Sequence, residues 1–566
     1  MNMTIDNQVI CARSGQTLLE LIRNAQMDTD SLVSRPLAAK IAGEVFTLNY
    51  VPVREREAGT DGSSVRRAMQ ASGGHVRLLR YADAAGKDVY TRTACFVVFL
   101  ALGELWPECT AKISCTIGNS VYIRLDDDSA FDLERLKKRI REKIHEDFPL
   151  IRRRVRRQDA IAGFLGNAQL DKAALLQWRD TDSFDEYYYH DYADYFYGEM
   201  LPSTGYLTVW ELIRAENGFI LCYPDDLNPD SPSDFKAMPN FFSVFSEGER
   251  WGKLMECETV ADLNELTSTG GIRELIRVNE ALHEKRFSQL ADTISTRNAQ
   301  VVMLAGPSSS GKTTSANRLA TQLRVYGKKP ILMSLDNYYL DRDKIAPGPD
   351  GKLDLEHINT IDTALFKEDI AALLSGGEVE LPEFNFVTGR REWNGKKLKL
   401  TSDSVIIVEG IHGLNPELVP DGIDTNKIFR LYVSPLLPLN LDNHNRIPTS
   451  YLRLLRRIVR DYETRGSSVQ RTISMWDSVR SGEQRWIFPY QENADTILNT
   501  STLYELAVLK RHIYPLLAKI QPEDDCYDDV QSIVKILEYV LAADVDDEIP
   551  PTSIVREFIG GNKFYR

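Results

Sequence analysis

Cysteine is sparse in this chain and shows no pairing pattern. The seven, at Cys11, Cys95, Cys109, Cys115, Cys222, Cys257 and Cys526, include no C-x-x-C pair. An odd, scattered set excludes a disulfide framework and a structural zinc site and fits a reducing compartment. Excess positive charge is missing too: 68 Lys and Arg stand against 82 Asp and Glu, a net charge of −14. That balance excludes an extended nucleic-acid footprint, which needs clustered cations, but leaves room for a local basic patch. No apolar run approaches the ~18 residues of a membrane span. Residues 1–15 have neither the basic nor the apolar stretch of a leader, so the expectation is a cytoplasmic protein with no membrane partner. Internal repeats and low-complexity tracts are also lacking. At 566 residues, 43% of them hydrophobic, the chain is too long for one core and is expected to fold throughout as several domains.

What is present is sharpest at Gly306-Pro307-Ser308-Ser309-Ser310-Gly311-Lys312-Thr313-Thr314. It follows the apolar run Val301-Val302-Met303-Leu304-Ala305 and opens onto a helical pattern. A strand, a glycine-bounded loop and a helix start form a phosphate cradle. Successive backbone N–H groups face the anion, Lys312 reaches the outer phosphates, and the Thr313 hydroxyl can ligate Mg²⁺. The segment therefore predicts binding of a nucleoside triphosphate. Beyond it, apolar strands (residues 331–335, 405–408, 429–433 and 496–498) alternate with helices, the pattern of a parallel sheet covered on both faces.

The remaining organisation is read from composition and period. Residues 1–60 read as a small α/β unit, bounded by the polar, glycine-containing stretch Glu57-Ala58-Gly59-Thr60-Asp61-Gly62-Ser63-Ser64. Residues 61–230 form a mixed second domain, 231–298 a helical linker with a 3.6-residue period over 275–294, and 299–566 the triphosphate domain. The tail from Leu503 onward reads as packed helices without chemistry of its own.

Phosphoryl transfer needs a carboxylate near the acceptor hydroxyl, an acidic group for the metal and cations over the γ-phosphate. Asp336 ends the second strand of this block and Glu409 the third, where an open parallel sheet presents side chains to its ligand crevice. Arg453, Arg456, Arg457, Arg460 and Arg465 crowd one helical stretch, a pattern that taken alone describes a solvated basic helix. With the cradle, Ser334-Leu335-Asp336-Asn337-Tyr338-Tyr339, Phe384-Asn385-Phe386-Val387-Thr388, Val408-Glu409-Gly410 and this arginine helix, residues from about 300 to 500 resemble the uridine kinase and phosphoribulokinase family of P-loop kinases. The resemblance implies ATP or GTP and Mg²⁺ as cofactors. It implies Asp336 as general base facing the metal, Thr313 and Glu409 on Mg²⁺, and Lys312, Arg457, Arg460 and Arg465 on the phosphates, with the arginine helix as a lid. For the acceptor it implies Glu356, in Leu353-Asp354-Leu355-Glu356-His357, on ribose hydroxyls, together with Tyr338, Phe384, Phe386 and Arg390. Two positions depart from the uridine kinases, which carry Tyr at Phe384 and His at Gly389, both used on the pyrimidine. The expected acceptor is thus nucleoside-like, with another polyol or sugar phosphate as the alternative.

Residues 1 to about 56 resemble the TGS domain, a ubiquitin-like module, through Ser14-Gly15-Gln16-Thr17-Leu18 and Ala39-Lys40-Ile41-Ala42-Gly43. The following block resembles the second N-terminal, editing domain of threonyl-tRNA synthetase through Glu104-Leu105-Trp106-Pro107 and Leu201-Pro202-Ser203-Thr204-Gly205. Counting from these motifs puts the family's four His and Cys positions on Arg92, Phe96, Phe196 and Met200, none of which can bind zinc or activate water. The expectation is an editing fold without editing, serving as scaffold or as a sensor of RNA or a small ligand. The basic stretch 152–157 is either a phosphate contact or a solvated face, and the aromatic run 187–192 reads as half-buried packing. The whole is expected to be an α/β P-loop kinase with a parallel sheet and flanking helices, behind a ubiquitin-like α+β domain and an editing-like α+β domain. Its competing reading is a nucleotide-dependent RNA-binding regulator.

Overall fold

The apolar run 301–305 forms the middle strand, Val301–Ala305, of a five-stranded sheet. The order is Lys329–Ser334, Ser404–Glu409, Val301–Ala305, Ile428–Ser434, Thr496–Asn499, and every neighbouring pair is parallel. This chain is seen in a computed structural model that describes residues 2–52, 75–345, 354 and 356–564. Alternate residues of the middle strand serve opposite faces, as a period of two requires. Val302 and Leu304 join Phe287, Ile294, Leu319 and Leu323 on one side. Val301 and Met303 join Phe366, Ile370 and Leu373 on the other. Helices Ile272–Thr296 and Lys312–Val325 cover the first face, and Thr363–Leu374 the second. The predicted parallel α/β sheet is therefore present in the C-terminal region.

The chain divides into two compact units, one of Met1–Ala237, Thr259–Ala261 and Asn440–Arg446, the other of the remaining residues. The helix expected within a linker, Ile272–Thr296, is a layer of the second unit. Its apolar stripe (Phe287, Leu290, Ala291, Ile294) is consumed by the sheet, because a 3.6-residue apolar period of that length needs a core to cover.

In the first unit, helix Leu18–Asn24 opens with a reciprocal capping box between Thr17 and Glu20. It packs on a sheet ordered Gln8–Cys11, Asn2–Ile5, His75–Leu79, Ala38–Ile41, Glu44–Thr47. The central strand, His75–Leu79, comes from beyond the expected boundary at residue 60. Its Val76 and Leu78 complete the core of Met3, Ile5, Leu21 and Ile41. The stretch 57–64, where that boundary was drawn, lies outside the described residues.

Behind it, helix Ala84–Leu105 is apolar on nearly every side and is buried along most of its length. Antiparallel sheets of four strands (Glu211–Ala215, Gly218–Cys222, Ser120–Leu125, Ala111–Ile117) and three (Tyr192–Asp194, Ser183–Tyr189, Ile151–Arg156) complete the unit. Phe96, Phe196 and Met200, three of the four counted ligand positions, are core residues. Arg92 donates to the Glu199 carbonyl at 3.3 Å. His444, at the tip of the hairpin Asn440–Asp442/Asn445–Arg446, stacks on Phe99 at 3.8 Å and lies over Phe196. These positions are thus filled by packed side chains, rings among them. Most of the basic strand finds partners inside the unit: Arg152 pairs with Asp185 and Glu199, Arg153 lies over the Tyr188 ring, Arg154 bonds Ser183, and Arg156 pairs with Asp159. Tyr187 and Tyr189 are buried in packing, their hydroxyls on Glu199 and Glu146.

One buried charge cluster anchors this unit. Lys172 Nζ lies 2.7 Å from Asp194 and 3.3 Å from Asp442, all three side chains almost wholly excluded from solvent. His444 and Asn445 complete it, at 2.7 Å from Asp194 and 2.8 Å from Asp442. Burial opposes the Asp194 charge, but Lys172 and His444 outweigh it and hold that carboxyl below its ordinary value. Burial wins at Asp442, which is raised despite Lys172. Removing the lysine would leave two buried carboxylates without their main cation, a loss of about 3–5 kcal/mol at neutral pH. Lys172→Met is therefore expected to lower stability in urea unfolding of the full chain. The deficit should shrink as pH falls toward about 4, because the orphaned carboxyls, raised in the folded state, then take up protons. A deficit independent of pH would show that cluster charge is not what the lysine supplies.

Candidate active site

The cradle's shape is set by two glycines. A Cβ on Gly306 would lie 2.2 Å from the Val433 carbonyl of the neighbouring strand, so only glycine lets the loop leave the sheet there. Gly311, at φ +83°, takes the left-handed conformation that caps helix Lys312–Val325. The loop-to-helix bond runs from Ser315 N to Gly311 O at 2.9 Å, and the amides ahead of it have no partner within the helix. Two of them are met by carboxylates far away in sequence. Ser308 N donates to Glu483 at 3.0 Å, and Thr314 N to Glu557 at 3.2 Å.

Lys312 folds back over the loop, donating to the carbonyls of Gly306 at 3.0 Å and Pro307 at 3.1 Å. Burial pulls its pKa down, against the attraction of Glu409, Asp336 and Glu557. Thr313 Oγ1 donates to Glu409 at 3.0 Å, joining helix start to strand end. Burial pushes Glu409 up to about 7, with Lys312 opposing. Asp336 sits in the turn Leu335–Tyr338 just after its strand, its amide on Ser334 Oγ. Its carboxyl is raised by burial against Lys312 and Arg465. A threonine hydroxyl beside a carboxylate is a hard oxygen pair of the kind Mg²⁺ takes when phosphates fill the rest of its shell, so these residues fit that ion.

The arginine helix, Thr449–Arg465, splits by function. Arg453 and Arg456 are buried struts: the first pairs with Glu483, the second with Glu505 at 2.7 Å. Arg457 instead donates to Ser308 Oγ at 2.9 Å. Asp461 gathers Arg457, Arg460 and Arg465 at 3.3, 2.9 and 3.5 Å. One carboxylate thus aligns three cations whose fields reach the cradle, since Arg460 acts on Lys312 and Arg465 on Asp336.

On the acceptor side, Glu356 packs against Gly482, where a Cβ would approach to 2.6 Å. Burial and the nearby Glu483 push it up to about 6. Tyr338, expected to face substrate, does not. Its ring is buried edge-on against Phe366 and its hydroxyl donates to Asp369 at 2.9 Å, because the tight turn after the strand points it back into the core. Tyr339 faces the carboxylates instead and meets Phe384 at 5.6 Å. Phe384 is buried, Phe386 is half exposed at 56%, and Arg390 is exposed on the hairpin Glu378–Asn385/Arg390–Lys399. Gly389 has φ +68°, and the Arg342 side chain lies where its Cβ would be. Sequence reasoning missed Tyr339, Glu483 and Glu557. The first adjoins Tyr338 in the same turn, whereas the other two lie 175 and 243 positions from the amides they meet and carry no local signal.

The sequence profile of the Phosphoribulokinase / Uridine kinase family matches residues 301–506. The uridine kinase of Vibrio atlanticus is 31% identical over 223 residues, which is 38% of this chain and 95% of that protein. That of Staphylococcus haemolyticus is 28% identical over 202 residues, 36% of this chain and 87% of that protein. That of Borreliella burgdorferi is 28% identical over 221 residues, 38% and 96%. Through this region, cradle and arginine helix included, the chain belongs to the phosphoribulokinase and uridine kinase family.

Proposed function

We propose that the second unit transfers the γ-phosphoryl group of ATP or GTP to a hydroxyl of a nucleoside-like acceptor. The observation that carries this reading is the convergence on one crevice of the Lys312 cradle, the Thr313–Glu409 pair and the carboxyls of Asp336 and Glu356. Thr313 and Glu409 would hold Mg²⁺, which when bound neutralises charge on the phosphate oxygens. Lys312 exchanges its two loop carbonyls for the outer phosphates. Arg457, Arg460 and Arg465, held by Asp461, oppose the charge that develops on the transferred group and exclude water as the helix closes. Asp336 takes the proton of the acceptor hydroxyl, burial raising its carboxyl while Lys312 and Arg465 oppose that rise.

The relatives are uridine kinases, and a ribose-like diol suits Glu356, whose two oxygens can accept from two neighbouring hydroxyls. At the far end the acceptor meets rings, Tyr339, Phe384 and Phe386, rather than polar base readers. This favours a nucleoside held by its sugar and stacked on its base. For the first unit, we propose a TGS-like module followed by an editing-like fold that does not hydrolyse, since packed rings stand where ligands would be needed.

Three tests follow. In an acceptor screen, ADP or GDP release should accelerate with one small nucleoside-like polyol, whereas acceleration by RNA alone would favour a nucleotide-dependent regulator. Asp336→Asn should cut kcat by about 10²–10⁴-fold while leaving triphosphate affinity, read by calorimetry, nearly intact; full kcat would reject Asp336 as base. The acceptor kcat/KM should decline as pH falls through about 6, where Glu356 takes up a proton and loses an acceptor oxygen. Glu356→Gln should remove that limb of the profile, and a limb that persists belongs to another group.

A further inference from the structure

The chain's last helix, Arg556–Ile559, packs on the arginine helix and reaches the start of the phosphate-loop helix through Glu557. Glu557 Oε2 accepts from Thr314 N at 3.2 Å and from Thr314 Oγ1 at 2.6 Å. Asn562 donates to the same hydroxyl at 3.1 Å. Around this contact the segment is well anchored. Ile554 lies where a Cβ of Gly311 would be, Phe558 sits beneath the Arg456 guanidinium at 4.8 Å, and Ser553 donates to the buried Glu280 at 2.6 Å. Glu557 also acts electrostatically on Lys312 and Glu409.

The position of that carboxylate along the cradle gives it meaning. In such a loop the lysine reaches the outer phosphates, the following threonine serves the metal, and the backbone amides hold the inner ones. The Thr314 amide is one residue past Thr313 and so faces the phosphate nearest the nucleoside. An amide that already donates to a carboxylate cannot also hold a phosphate, and two anions at one helix start repel. We propose that Glu557 is a built-in phosphate mimic, occupying the inner-phosphate position of the cradle, so that a nucleoside triphosphate binds only by displacing the C-terminal segment 553–562. This rests on the triphosphate reading above. It makes the chain a two-state device in which apparent donor affinity is reduced by the fraction of molecules with the segment seated.

The decisive measurement is calorimetric binding of ATP with Mg²⁺, and separately of pyrophosphate with Mg²⁺, to the full-length chain and to Glu557→Gln. The variant keeps the shape and one acceptor oxygen but loses the charge. It is expected to bind ATP about 5- to 50-fold more tightly, the span of an ordinary coupling between sites. In the wild type, saturating ATP should raise amide hydrogen exchange across 553–562. Equal or weaker ATP binding by the variant, with exchange in that segment unchanged by nucleotide, would overturn the proposal and leave the triphosphate reading standing. A gain for pyrophosphate with no binding of any nucleoside triphosphate would keep the mimic and remove the donor reading. Binding of neither by either protein would remove both.

Discussion

The second unit depends on keeping a lysine charged where water is largely excluded. Lys312 emerges from a loop that only Gly306 and Gly311 can shape, one through its approach to Val433, the other through its left-handed backbone. Once there it has carbonyls of the loop as its direct partners and carboxylates on three sides at longer range. Burial lowers its pKa, and Glu409, Asp336 and Glu557 raise it. The same burial lifts Asp336, Glu356 and Glu409, so neither sign of charge is comfortable before substrate arrives. Under the proposed reading, a polyphosphate with its cation would satisfy both at once.

The arginine helix supplies the missing cations without letting them collapse onto the acids of the crevice. Arg453 and Arg456 are committed to buried glutamates, and each also touches the loop from below, at Ser308 O and Ser309 O. They brace the loop. Arg457, Arg460 and Arg465 share one aspartate among three positive charges, which leaves net positive potential facing the cradle. Under the proposed reading, such a helix could close on an anion because its own counter-charge is incomplete.

How much of this was legible in the sequence follows from the range of each interaction. The cradle, the parallel strands and the carboxylates at their ends were readable, because each is encoded within one strand, turn and helix start. Tyr338 and Tyr339 were not separable, since the tight turn after residue 334 breaks the strand period that would have told which ring faces inward. The roles of Arg453 and Arg456 depend on Glu483 and Glu505, placed by helices that no local pattern ties to the loop. The division at residue 60 failed to anticipate His75–Leu79 because a central strand can arrive from any distance along the chain. The hairpin 440–446 is the extreme case: polar and short, it gives no hint that His444 and Asp442 belong to the buried charge cluster of the first unit.

Where the chain departs from the uridine kinases, at Phe384 and Gly389, the two positions are coupled through one hairpin. A histidine at Gly389 would have to adopt φ +68° and displace Arg342, whose backbone amide bonds the Gly389 carbonyl and whose guanidinium donates to Phe386 O. The arginine thus fills the space beside Gly389 and pins the hairpin tip through both its backbone amide and its guanidinium. Pinning also fixes Phe386 edge-on to Phe384, and Phe384 edge-on to Tyr339. With a phenol in place of Phe384, a hydroxyl would enter that ring stack and need a polar partner there. The wall as it stands is apolar, and the hairpin's backbone amides are met by side chains around it, Phe384 N by Asn337, Val387 N and Thr388 N by Asn385, and Arg391 N by Asp341. Under the proposed reading, selection at this end would rest on ring shape and stacking, with Glu356 as the reader of hydroxyls.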